Sequence, residues 1–130
     1  MRQDGFESLR AWQNARILVN SIYDIMKDNK DFGFRDQIQR ASVSIMNNIA
    51  EGFESGSDKM YIRYLMIAKA SCSEVRSMLY ICLDRNFCTQ EKFDDLRECT
   101  IQISSQLFKL LDYLNTGKCK WRLLSFDFCL

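Results

Sequence analysis

The chain has 130 residues, is 47% hydrophobic and 27% charged, and has a formal net charge of +1. That length suits one domain that buries roughly two-thirds of its unfolded surface, and the composition excludes a disordered chain. A charge this close to zero provides no global field for nucleic acid or an anionic membrane, so any such contact has to come from local patches.

Proline is absent and glycine occurs five times, so the strongest helix breakers are scarce. The first helical segment is expected from about Ser8 to Asp28, with Trp12, Ala15, Val19, Ile22, Tyr23 and Met26 on one side at spacings of three and four. The polar run from Lys27 to Gly33 ends it. The second runs from about Phe34 to Phe53, and Ile38, Ala41, Ser42, Ile45, Ile49 and Gly52 fall within one stripe at ~100° per residue. Ser57 then caps a third segment that reaches Asp84. Its core stripe is Tyr61, Tyr64, Leu65, Ala68, Cys72, Val75, Leu79 and Cys82.

Thr89 caps the fourth segment, which ends near Asn115 before Thr116 and Gly117. Its stripe is Phe93, Leu96, Thr100, Ile103, Leu107, Leu110, Leu111 and Leu114. Four amphipathic helices of matched length, roughly 30 to 40 Å each and joined by short loops, predict an all-α protein: an antiparallel up-down-up-down four-helix bundle over residues 1–117. Residues 118–130 break the helical pattern, with apolar alternation at Phe126, Phe128 and Leu130. Packing across the bundle, strand pairing with a partner and an unpacked tail all remain open for this segment.

Two surfaces depart from an ordinary solvated helix, which is rich in Lys and Glu. On the second helix Val43, Met46 and Ala50 form a weakly charged third face. On the third, Ile62, Met66, Ser73 and Tyr80 lie opposite the expected core stripe. Two such faces on one bundle predict burial by self-association. A polar stripe of Arg40, Asn47, Asn48 and Glu51 on the second helix, with Glu74 on the third, predicts a structural hydrogen-bond network. Lys59, Arg63, Lys69 and Arg76 give the third helix a local excess of positive charge. Lys118, Lys120 and Arg122, interleaved with Trp121, add a second candidate nucleic-acid patch.

Catalytic chemistry finds little footing. Histidine is absent, which removes the commonest general base and metal ligand. The six cysteines contain no C-x-x-C pair and read as buried thiols; no glycine-rich phosphate loop is present. No catalytic residue, metal, cofactor or small-molecule substrate is expected. Without a cleavable signal, or an apolar run near the roughly 18 residues of a membrane span, the expected location is the reducing cytoplasm.

Three runs then show a recognisable pattern: FESLRAWQNA from Phe6, QIQRASVSIMNNIAEGFESGS from Gln37, and YIRYLMIAKASCSEV from Tyr61. Over about residues 6–115 the chain resembles the bacterial four-helix-bundle family of the protein encoded by intervening sequences of 23S rRNA genes. That resemblance implies an antiparallel bundle, assembly into ring-shaped pentamers, no catalytic activity and an association with RNA or DNA. A distant branch, the accessory variability determinants, serves the reverse transcriptase of diversity-generating retroelements, which makes a protein-interaction scaffold or accessory subunit the alternative role. The resemblance also implies that Arg40, Ala41, Ser44, Asn48, Ile49, Ala50, Glu51 and Gly52, with Ser71 and Glu74, are shared packing and polar-network positions.

Overall fold

The structure, a computed structural model, describes residues 5–118. A single 3-10 turn, Phe6–Ser8, leads into α1 (Arg10–Met26), α2 (Phe32–Glu54), α3 (Asp58–Asp84) and α4 (Gln90–Lys118). Lys120, Arg122 and the rest of the tail past Lys118, for which patch and packing roles are expected, lie outside the described residues.

Each helix boundary has a local chemical cause. Leu9 is extended, with φ −76° and ψ 129°, so α1 starts at Arg10 rather than Ser8. The Phe6 ring meets Trp12 edge-on at 5.2 Å, and Gln13 Nε2 donates to the Glu7 carbonyl at 2.8 Å, which holds the turn on the helix. Asp31 Oδ1 accepts from the Phe34 amide at 3.2 Å and starts α2 at Phe32, two residues before the expected point. Ser57 and Thr89 cap as expected, accepting from the amides of Met60 at 3.2 Å and Lys92 at 3.1 Å.

At the end of α3, Asn86 takes the left-handed conformation, φ 60°. The Phe87 amide reaches back to the Cys82 carbonyl at 2.7 Å and the Asn86 amide to the Leu83 carbonyl at 3.2 Å. These two bonds make a Schellman closure. They direct the Phe87 ring onto Phe34, 5.5 Å away, which ties the α3–α4 link to the start of α2.

Each helix lies beside its chain neighbours, and α4 packs back against α1, which leaves α1 diagonal to α3 and α2 diagonal to α4. Side-chain pairs give the directions. Ser44 of α2 meets Ser71 of α3, and Gly52 meets Tyr64. Between α3 and α4, Tyr80 meets Phe93, Cys72 meets the Thr100 carbonyl and Lys69 meets Ser104. Both pairings are antiparallel. Reversal between α1 and α2 takes only the link Lys27 to Asp31.

Ala15, Leu18, Ile22, Ile38, Ile45, Ile49, Leu65, Val75, Leu79, Ile103 and Leu107 form the fully buried centre, each large aliphatic side chain contributing ~1.5–3 kcal/mol by leaving water. The α2 stripe is buried at every expected position. On α1 the core face is rotated from the expected one: Ala11 and Leu18 are buried, Trp12 and Val19 are half-buried, and Tyr23 is exposed. Tyr61, Tyr64 and Leu110 are likewise half-buried.

Ile62 requires the clearest correction. Expected on an outward face, it is 6% exposed and belongs to the core. The antiparallel register of α3 on α4 explains this, because it brings the start of α3 level with Leu111, inside the last turns of α4. The α2–α3 approach is tight at Gly52, where a Cβ would lie 2.9 Å from Tyr64 Cβ and 3.0 Å from Tyr61 Cδ1.

Candidate nucleic-acid interface

The cations of α3 point in two directions. Lys59 and Arg63, one turn apart, sit on the face turned away from the core and are exposed. Lys69 and Arg76, two turns apart, lie on the side toward α4. Arg76 is exposed, while Lys69 is half-buried and donates from Nζ to Ser104 Oγ at 3.1 Å. None of the four is ion-paired among the described residues. Lys118 is the last residue of α4.

Between these cations runs an apolar strip. Met60, Met66 and Ile67 are large exposed hydrophobic side chains on α3, and with Ala70 they line a shallow groove flanked by Lys59 and Arg63. Sequence reasoning placed Met66 on this face but missed Met60 and Ile67, which sit seven residues apart beside it. Their spacing was a usable signal, hidden because neither belongs to the i, i+3, i+4 series of the core.

Of the residues expected to form the second helix face, Val43 and Ala50 are half-buried at its surface, whereas Met46 packs against the core. Ser73 is exposed. Tyr80 is 46% exposed, yet its ring lies 5.0 Å edge-on from Phe93 and its hydroxyl accepts from Arg97 Nε at 2.9 Å, so it is already engaged with α4.

The expected polar network resolves into two separate links between α2 and α3. Asn48 Nδ2 donates to the Ser44 carbonyl at 2.8 Å and to Ser44 Oγ at 3.0 Å, and Ser44 shares a hydroxyl bond with Ser71 at 2.8 Å. One helical end away, Gln37 Nε2 donates to the carboxylate of Glu74. Arg40, Asn47 and Glu51 are exposed and join neither link among the described residues. They project past the seam because their positions on α2 are rotated toward solvent from Ser44 and Asn48. Arg40 and Asn47 instead line a polar groove with Tyr23 and Asp36.

The four described cysteines are unpaired thiols. Burial pushes Cys72 up to about 11, with Cys99 adding a smaller upward push, and burial pushes Cys82 up to about 12. Cys88 and Cys99 are also raised by burial. A thiol held protonated is a poor nucleophile. Among the described residues no group of histidine, cysteine, aspartate and glutamate is arranged to hold a metal, and no helix is long and apolar enough to cross a membrane.

Comparison with known proteins places this geometry. The family described as 23S rRNA-intervening sequence protein matches residues 7–109. A crystal structure of a protein with unknown function from the S23 ribosomal protein family, from Bacteroides thetaiotaomicron, superposes with a TM-score of 0.69 at 24% identity. The match covers 78% of this chain and 94% of that one, and it supports the four-helix fold. No curated protein matches the chain. With four fifths of its length aligned to the family and the fold in agreement, the chain belongs to the 23S rRNA-intervening sequence protein family.

Proposed function

We propose that the protein is a non-enzymatic homo-oligomeric bundle, a pentamer as its family resemblance implies, that binds RNA or DNA through the cations of α3. The observation that supports this reading is the set of four cations, Lys59, Arg63, Lys69 and Arg76, on one helix of a nearly neutral chain, none of them ion-paired among the described residues. Phosphate is the common ligand that uses such charges without a shaped pocket for each. Several copies on one assembly multiply a patch that is modest in a single chain. The apolar strip on α3 supports self-association, since Met60, Met66 and Ile67 stand side by side as exposed hydrophobic side chains.

Charge reversal of Arg63, Lys69 and Arg76 to Glu tests the reading. Binding of a fluorescent single-stranded RNA, followed by anisotropy against salt, should be lost. Single reversals should lower the salt slope by about 0.7 for each phosphate contact removed. Unchanged affinity and slope, with the helical signal intact, would reject these residues as the interface.

A further inference from the structure

The groove on the outer side of α3 has a volume of about 480 Å³, and every residue that lines it belongs to α3 itself. Met60, Met66 and Ile67 give it an apolar floor, and Lys59 and Arg63 flank it. Among the described residues α1, α2 and α4 contribute nothing to its lining. An apolar strip rimmed by charge on the side away from the core suits a partner that carries apolar anchors and an acid.

The chain's own tail has both. Phe126, Phe128 and Leu130 alternate with Asp127 and Cys129, and Asp127 is the one charged residue between Leu123 and Leu130. In an extended run such alternation sets the three apolar residues on one side. From Met60 to Ala70 a helix rises about 15 Å, and five extended residues cover about 16 Å. The lengths match. Asp127 complements Lys59 and Arg63, neither of which is ion-paired among the described residues. The chain also leaves the bundle at the right end, because α4 runs antiparallel to α3 and finishes at Lys118, level with the start of α3. Residues 119–125 then supply a link that reaches about 25 Å when extended. Within one chain that link has to pass over the side of α3 that carries Lys69 and Arg76, whereas a neighbouring copy meets the outer side directly.

We propose that residues 126–130 of one copy lie along the α3 groove of the next, with Phe126, Phe128 and Leu130 on Met60, Met66 and Ile67, and Asp127 between Lys59 and Arg63. This rests on the self-association reading above and names the segment that buries the strip. The contact joins two different surfaces, so it repeats from copy to copy and closes into a ring when the rotation allows. Lys69 and Arg76 stand outside the groove, on the side toward α4.

Light scattering on full-length chains provides the test. Phe126→Ser with Phe128→Ser removes the tail's anchors, and Met60→Glu with Ile67→Glu spoils the groove without touching the buried core. Each variant alone should fall to the mass of one chain with its helical signal intact. Mixed in equal amounts, the two should give the mass of two chains, because one intact tail then has one intact groove to enter and no further contact can form. A full-sized assembly from either variant, or a mixture that stays at one chain, overturns the docking and leaves self-association standing. One chain in the unaltered protein overturns self-association and the docking together. Asp127→Asn should raise the dissociation constant of the assembly about fivefold, the scale of one partly exposed ion pair. An unchanged constant overturns the placement of Asp127 between the two cations.

Discussion

At Gly52 the bundle depends on the absence of a single carbon. An alanine there would gain about 1 kcal/mol of helix propensity, but its Cβ would meet Tyr64 Cβ, an atom fixed to the α3 backbone that cannot swing aside. Overpacking of this kind costs about 1–3 kcal/mol, so Gly52→Ala should show a net loss in the urea midpoint, and Gly52→Val a larger one. The buried thiols make a second prediction. Cys72 and Cys82 are raised from 9.0 to about 11 and about 12, so the unfolded chain loses their protons first as pH rises. Their stabilising contribution is full below pH 9 and is lost as pH climbs through the folded values. Urea midpoints taken from pH 8 to pH 11 should therefore fall, and Cys72→Ala with Cys82→Ala should flatten that fall. The sequence showed Gly52 as a stripe member and Cys72 and Cys82 as buried, while Cys88 and Cys99, expected to be buried too, are half-buried. It did not show that Asn115 Oδ1 has no hydrogen-bond partner among the described residues, because that property depends on what α3 places opposite it.

Among the elements, local chemistry was the most legible. Ser57 and Thr89 announced two helix starts, and the α2 stripe was readable at every position because its opposite face is polar. The α1 stripe was not, since apolar residues stand on two adjacent faces: Ala11 and Leu18 on one, Trp12, Val19 and Tyr23 on the other. Periodicity alone cannot choose between them; the neighbours α2 and α4 do. Ile62 was misplaced for a related reason, as only the register of α4 decides whether the first turns of α3 are covered. Asn86 provides the prediction at this scale. Its left-handed backbone costs a residue with a β-carbon and no local hydrogen bonding ~1–2 kcal/mol, so Asn86→Ala should lower the thermal midpoint and Asn86→Gly should hold or raise it.

For the whole molecule, the fold class and the family followed from four matched amphipathic helices and three sequence runs. The surfaces were harder, because outward apolar residues have no period to obey. If the α2 and α3 faces meet between copies, Val43→Glu with Met66→Glu should reduce the mass measured by light scattering to that of one chain while the helical signal persists. A full-sized assembly would place the contact elsewhere.

The cyclic order of neighbours has a further consequence. Three of the four helix seams join segments that follow one another along the chain, and these can zip early with little loss of loop entropy. The fourth, α1 against α4, waits until the whole chain has been laid down, and it is also the least extensively packed of the four. Asn14 bridges it twice, through Nδ2 to Gln106 at 3.1 Å and by accepting the Cys99 thiol at 3.7 Å. Breathing of the native protein would then begin along one edge, with α1 the first plank to lift and the α2–α3 pair the last to come apart.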